Sequence, residues 1–413
     1  MPKDHQKNDK NTDELILSDL GVNKDKRKSD GKVSRFKNIN IRYISIAVLI
    51  ILLIMTAIYV LNFINFNSTV LIWRTSLTKG SDSVNNKSVS YASFRNGLMR
   101  ISNDGITYID DAGHVNWTVS YNMKEPIYVS NKKFFSIADR NGNNFYIFDS
   151  SGLVGENTTT NAIERIDISD DGVLYVLQSD ENSSYINVFR NNGAVIDLMI
   201  KTNLTEDGMP VDISTSRNGE ELVLSYAVLD DDNIYSKATY YNFADEGKNA
   251  SSKRIVGEFI DEFDGKFLAR VHFFNDDRSC LIYDGGIYFV STSDKTNPRV
   301  INKIAPNDNM KSISYNDSYL AVVYESDKLI VYDDSGNIIC DKQIDYEYNN
   351  FYLNDDYIIF LYNYRVMIYD IRGRMIFDKE LSSDIQFVAK KKSFIFTELL
   401  LGLLDSVECI RCY

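Results

Sequence analysis

Residues 105–117 read Gly105-Ile106-Thr107-Tyr108-Ile109-Asp110-Asp111-Ala112-Gly113-His114-Val115-Asn116-Trp117. Apolar and polar side chains alternate to Ile109, turn formers occupy 110–113, and alternation resumes at Val115. Strand, turn, strand is the reading. The frame ITYIDDAG, ending at Gly113, returns as FYIFDSSG at Gly152, INVFRNNG at Gly193 and YYNFADEG at Gly247. It returns again as IYFVSTSD at Asp294, LIVYDDSG at Gly336 and VMIYDIRG at Gly373. Four residues before each turn stand Ile109, Phe148, Phe189, Phe243, Val290, Tyr332 and Tyr369. The successive spacings are 39, 41, 54, 47, 42 and 37, about 43 on average.

A further strand precedes most of these frames across a turn, as in Lys133–Ala138, Leu320–Tyr324 and Ile358–Tyr362. Units of ~40–50 residues built from several strands and no helix are blades of a β-propeller. One small twisted sheet cannot bury both of its faces, whereas radial stacking covers them. Seven frames set a minimum of seven blades. The chain ends supply an eighth. The two tryptophans, Trp73 and Trp117, lie 44 residues apart, which is one period. Residues 70–77 therefore read as an outermost strand whose own blade is missing at the N-terminal side. The last unit, with strands expected near Phe394–Glu398 and Val407–Ile410, lacks an outer strand before the chain stops at Tyr413. Joining the two predicts an all-β, eight-bladed propeller over residues 67–413. The alternative is a seven-bladed ring with residues 70–77 left outside.

The frame from Gly105 to Trp117 resembles the repeats of quinoprotein-like propellers, related to PQQ-repeat and WD40-like units. The whole layout is similar to uncharacterised single-span propeller proteins of low-GC Gram-positive bacteria, which carry a domain of unknown function. The departure is that only the first unit keeps its tryptophan. Later units have Glu156, Asp197, Cys340 and Phe377 at that place. The resemblance implies the fold and a membrane anchor; without the tryptophans it carries no cofactor chemistry, and none is expected.

Charge divides the chain. Of 45 basic and 58 acidic residues, 11 and 7 fall in residues 1–42, leaving 34 and 51 beyond. The tail is thus +4 and the remainder −17. Between them, residues 43–73 carry no charge, and Ile44–Leu61 is apolar except for Ser45 and Thr56. A run of this length predicts one transmembrane helix over residues 43–66, with Tyr43, Tyr59, Phe63 and Phe66 toward the interfaces. No small-residue cleavage pattern follows it. Lys24, Lys26, Arg27, Lys28, Lys32, Arg35, Lys37 and Arg42 precede the run, so the N-terminus is expected in the cytoplasm and the acidic body outside. Residues 1–42 read as a disordered basic tail able to touch anionic lipid. The overall charge of −13 argues against nucleic acid as a partner.

Little of the chain is suited to chemistry. Hydrophobic and charged shares of 44% and 25% are those of an ordinary globular chain, and four Cys and three His leave few metal ligands. Cys409-Ile410-Arg411-Cys412 is a CxxC with no following helix to lower a thiol pKa and no second ligand pair. A structural role is expected for it, with a disulfide as the alternative. Asp139–Asn143, Asp230–Asn233 and Asn275–Asp277 are oxygen-rich but miss EF-hand spacing, so they read as turns. Ser102–Tyr108 approaches an Asp-box and falls one residue short. His114 and His272, outside the tail, have no recognisable nucleophile or acid partner. Asn116, Asn157 and Asn203 open Asn-x-Thr triplets. No catalytic, cofactor or metal residue is assigned.

Three functions remain: a surface-anchored binding or scaffold module for a protein, peptide or cell-wall glycan; a sensor reporting through the tail; or a propeller enzyme, a quinoprotein-like oxidoreductase or glycan hydrolase. Missing acid–base and metal patterns favour the first. The unit with the 54-residue spacing has its excess at Leu229–Lys237 and Lys248–Lys253. These polar, acidic segments are the expected partner loops, suited to a basic or glycan partner.

Overall fold

The computed structural model describes residues 41–63, 68–77, 89–230, 233–250, 253–381, 383–391 and 397–413. The chain divides into two compact units, residues 1–61 and 62–413. In the first, Ile41–Phe63 forms a 23-residue helix, α1, about 34 Å long at ~1.5 Å per residue. The large apolar side chains described on it, Tyr43 to Met55, are exposed. Apolar residues surround the helix instead of forming a stripe that could lie on a core. Among the described residues, no helix is long and apolar enough to cross a membrane. The expected span is found as a helix over Ile41–Phe63. The tail expected over 1–42 lies, to residue 40, outside the described residues.

The second unit is eight four-stranded antiparallel sheets. In blade 1, Ser90–Phe94, Gly97–Ser102, Gly105–Ile109 and Val115–Ser120 lie side by side in chain order. Blades 2 to 7 repeat this over residues 126–158, 162–203, 209–259, 268–304, 310–343 and 350–380. Blade 8 takes Ile385–Lys391, Thr397–Leu403 and Ser406–Cys412 from the C-terminal end and Thr69–Ser76 from the N-terminal side. Thr69 lies opposite Cys412 and Ser76 opposite Ser406. The expected strand at 70–77 is thus found one residue earlier, and the seven-bladed alternative falls. The expected strand Phe394–Glu398 is corrected to Thr397–Leu403, residues 394–396 lying outside the described residues.

Strand alternation builds the core between blades. In blade 2, Phe135 and Ile137 face blade 1, packing with Phe94, Met99 and Tyr108. Ala138, Phe145 and Ile147 face blade 3, packing with Ile166, Leu174 and Val176. Truncating one such fully buried Ile or Leu to Ala costs about 2–5 kcal/mol. The tryptophan register also holds. An added Cβ on Gly113 (φ +89°) would lie 2.7 Å from the Trp73 ring, and one on Gly152 would lie 3.8 Å from Trp117. Trp117 stacks on Phe148 at 5.1 Å. Cys340, read from sequence as a tryptophan replacement, faces Gly373 in the same way. Gly247 does not belong to this series. It is buried in a short helix, α2 (Asp245–Ala250), with its amide on the Asn242 side chain.

Candidate binding surfaces of the propeller

The innermost strands of all eight blades line a central channel of about 1110 Å³. Each such strand has one edge with no neighbouring strand, and its buried N–H groups need acceptors. Side chains of the preceding blade supply them. Asp167 Oδ2 accepts from the Thr215 amide at 2.7 Å, and Asp212 Oδ2 from the Val271 amide at 3.1 Å. Ser214 Oγ accepts from Phe273 at 3.0 Å, Ser314 Oγ from Leu353 at 2.9 Å and Asn354 Oδ1 from Lys390 at 3.1 Å. A register shift recurs in the innermost strands of blades 3 to 6, which bulge between Ile163 and Arg165, Pro210 and Asp212, Leu268 and Arg270, and Met310 and Ser312; the strand of Asn354 has none.

The wall of blades 3 to 5 is charged. Arg165 Nε lies 3.7 Å from Asp212 Oδ1, and Arg270 flanks the same carboxylate. Burial pushes Asp167 up to about 7, although the Thr215 and Ile168 amides oppose it. Burial likewise lifts Asp212 to about 6 against the pull of the Val271 amide and the two arginines. His272 lies against Tyr315, ring centroids 4.4 Å apart, with Nε2 3.0 Å from the Asn316 carbonyl. Burial depresses its pKa to about 4, so the ring is neutral. These groups hold strands together; Asp167 and Asp212 are committed to backbone amides, and His272 to a backbone carbonyl. Sequence reading named His272 but missed Asp167 and Asp212, because their partner amides lie 48 and 59 residues away.

The residues singled out by sequence are dispersed. His114 is exposed, its Nδ1 3.3 Å from Asp110 in the blade 1 turn. Cys409 and Cys412 are free and buried. Three positions apart on one strand, they face opposite sides of the sheet, Cys409 toward Tyr91 and Leu98 and Cys412 toward Ile359 and Leu361. Neither can bridge to the other. Burial raises both thiols, Cys409 to about 11 and Cys412 to about 12. Asp139 caps a turn, accepting from the Lys124 and Glu125 amides. Asn103 donates to the Met123 and Lys124 carbonyls, giving the Asp-box-like segment a hairpin role. Among the described residues, no group of three or more His, Cys, Asp or Glu side chains could hold a metal ion.

Blade 4 departs from its neighbours. Its second and third strands, Glu221–Asp230 and Asn233–Asn242, run ten residues each, against six in blade 5. At ~3.4 Å per residue the hairpin extends about 14 Å further. The segment expected as a polar loop at Leu229–Lys237 is therefore strand, with residues 231–232 outside the described residues. Its tip is also less polar than expected, since Leu229 and Ile234 face each other across the strands at 68% and 65% exposure. The second expected loop, Lys248–Lys253, begins in α2, and residues 251–252 lie outside the described residues.

Eight radial sheets, a polar channel and a blade completed by both ends of the domain define an eight-bladed β-propeller. Within that class, the chain belongs to DUF5711, a family of unknown function, whose profile matches residues 70–411. No curated protein sequence matches it. By backbone it is similar to Sqt1 of Chaetomium thermophilum bound to the N-terminus of the ribosomal protein L10. The identity is 11% over 83% of this chain and 99% of that one, with TM-score 0.52. Sqt1 of Saccharomyces cerevisiae matches at 10% identity over 84% and 99%, TM-score 0.51. BamB from Moraxella catarrhalis matches at 10% identity over 84% and 98%, TM-score 0.48. At these identities the likeness is one of fold.

Proposed function

We propose that this protein is a single-pass membrane scaffold, with α1 in the bilayer, the N-terminal tail in the cytoplasm and the propeller outside the cell. The propeller holds an extracytoplasmic protein, peptide or cell-wall glycan without transforming it. One observation carries the binding part. On the channel wall, Asp167, Asp212, Ser214 and Ser314 are engaged in capping the strand edges of the next blade. What remains is a rigid platform that projects loops, where recognition is normally placed. That Sqt1, a propeller of similar fold, binds a protein segment agrees with the peptide form of this reading. The charge-free run, its basic N-terminal flank and the apolar girdle of α1 support the anchor.

The test is cross-linking of intact, wall-stripped cells followed by mass spectrometry, with protease accessibility measured in parallel. The expected result is one recurrent partner cross-linked to the propeller and digestion of the propeller by external protease. Protection of the propeller refutes the topology. Turnover of a glycan or alcohol by the purified protein refutes the non-catalytic reading.

A further inference from the structure

The blade 4 hairpin carries an apolar surface that continues past the blade interface. Directly paired residues share a face of a sheet. Val223 lies opposite Tyr240, Ala227 opposite Ser236 and Leu229 opposite Ile234, all on one face. Met209 joins that face through its pairing with Ala227. Low on the hairpin, Val223, Ala238 and Tyr240 are buried against Phe263, Leu268 and Val271 on the blade 5 side. Higher up, Met209, Leu229 and Ile234 lie 55%, 68% and 65% exposed on the same face. Ile260 and Phe267, at 40% and 46% exposure, come from the segment that crosses to blade 5. The Leu268 amide donates to Ser236 Oγ at 3.0 Å, which ties that segment to the hairpin and sets these exposed side chains beside it, an apolar groove between hairpin and crossing segment in our reading.

A second feature points to the same place. The outermost strand, Ile255–Phe259, ends opposite Ala238. Beyond it, Ile234–Lys237 has no strand partner on its outer side among the described residues, an edge to which a strand can be added. The rim fixes the charge of what can enter. Asp261, Glu262 and Asp264 stand on the crossing segment, Glu206 and Asp207 precede Met209, and Asp284 donates its amide to the Phe267 carbonyl. Lysines near the rim are engaged: Lys237 over the Tyr226 ring, 4.0 Å from Glu258, Lys266 over Tyr283, donating to the Glu262 carbonyl, and Lys303 over Tyr288.

We propose that this groove docks an extended segment of a partner protein in which apolar and basic residues alternate, added as a strand along Ile234–Lys237. The proposal rests on the scaffold reading and specifies the partner's chemistry. Apolar side chains of the segment cover Leu229, Ile234 and Phe267, and the negative field of the rim attracts its Lys or Arg residues.

The test is fluorescence anisotropy of the full-length protein with a labelled alternating Lys-Val heptapeptide and its Glu-Val counterpart. The Lys-Val peptide should bind and the Glu-Val peptide should not. Leu229→Ser with Ile234→Ser should weaken binding about tenfold or more, as expected for lost central anchors. Asp261→Lys with Asp264→Lys should remove most of its salt dependence. Thermal transitions of all variants should match the parent, which separates lost binding from lost folding. Equal binding of both peptides, or variants that bind as the parent does, overturns the proposal. So does conversion of a dimer to a monomer by Leu229→Ser with Ile234→Ser in sedimentation, which would make a second copy the occupant. A partner that cross-links elsewhere on the propeller would leave the scaffold reading intact while this groove fails.

Discussion

Blade 8 and blade 4 each break the repeat, in opposite ways. Blade 8 is discontinuous in sequence, its outer strand coming from more than 300 residues upstream, yet it has the same four strands as its neighbours. One ion pair crosses its seam: Arg74 Nε lies 2.6 Å from Glu408 in directly opposed positions. Within the three C-terminal strands, Glu398 is held by Arg411 at 2.6 Å and Lys391 at 3.2 Å. Blade 4 is continuous and in normal order, yet its middle strands outgrow the ring. The difference shows what the ~43-residue period encodes. It fixes the faces that neighbouring blades bury, and it leaves free both where the chain enters a blade and how far a strand runs past the interface.

The largest predicted effect breaks the seam. Deleting Thr69–Ser76 uncovers the Ser406–Cys412 edge and removes Trp73 from beneath Gly113. An open ring with a bare apolar edge invites pairing between molecules. We expect loss of the single cooperative thermal transition and concentration-dependent light scattering on heating. Retention of the parent transition would mean that closure does not depend on this strand.

pH should separate the two blades next. In blade 4, burial lifts Asp212 to about 6 and Glu221 to about 7, the latter despite Lys295 at 2.6 Å. Such groups bind more protons folded than unfolded between about pH 4 and 7, so their contribution is greatest at low pH and is lost as pH rises through that window. In blade 8, burial alone would raise Glu398, but Arg411 and Lys391 hold it below its ordinary value. Its contribution is present above about pH 4.5 and is lost as pH falls through the lowered pKa. His272, lowered to about 4, partly offsets blade 4, since its contribution fades from about pH 6.5 downward. Asp212→Asn and Glu221→Gln should therefore flatten the decline in stability between about pH 4.5 and 7, whereas Glu398→Gln should act below it. Denaturant midpoints across pH measure both. Identical profiles for the three variants would remove the distinction.

Blade 8 was legible in the sequence because its signals are local and periodic: two tryptophans one period apart, a missing outer strand at one end and a spare strand at the other. Blade 4 was legible only in its excess length. Asp230, Asp231 and Asp232 read as an acidic loop and masked the alternation of Ser225, Ala227 and Leu229 with Ile234, Ser236 and Ala238, which is a hairpin pattern around a turn. Gly247 in YYNFADEG misled for a related reason, since its frame matches the repeat while its backbone is helical. The channel caps left no local trace, because each joins residues a whole blade apart.

Two glycines sharpen the comparison at a smaller scale. Gly113, beside the seam, has φ +89° and would place a Cβ 2.7 Å from Trp73; Gly265, on the segment leaving blade 4, has φ +63° with nothing within 4 Å. Gly113→Ala combines a strained backbone with a clash and should cost about 2–3 kcal/mol. Gly265→Ala carries only the backbone term, about 1 kcal/mol. Chemical denaturation of the two variants compares them directly. Equal losses would show that Trp73 yields freely and that the seam is softer than its packing implies.

The smallest predicted effect lies at the hairpin tip. Leu229 and Ile234 contribute nothing to the cluster that Val223, Ala238 and Tyr240 form with the blade 5 side. Both are about two-thirds exposed, so folding removes little of their surface from water, and a substitution there changes stability by about 0.5 kcal/mol or less. Leu229→Ser with Ile234→Ser should leave the thermal transition within about 1–2 °C of the parent, small for a domain of this size. Val223→Ala, six residues before Leu229 on the same strand and fully buried, should lower it by several degrees as packing is lost. A tip variant that falls as far as Val223→Ala would place the tip inside the packed interface, and blade 4 would then differ from blade 8 in length alone.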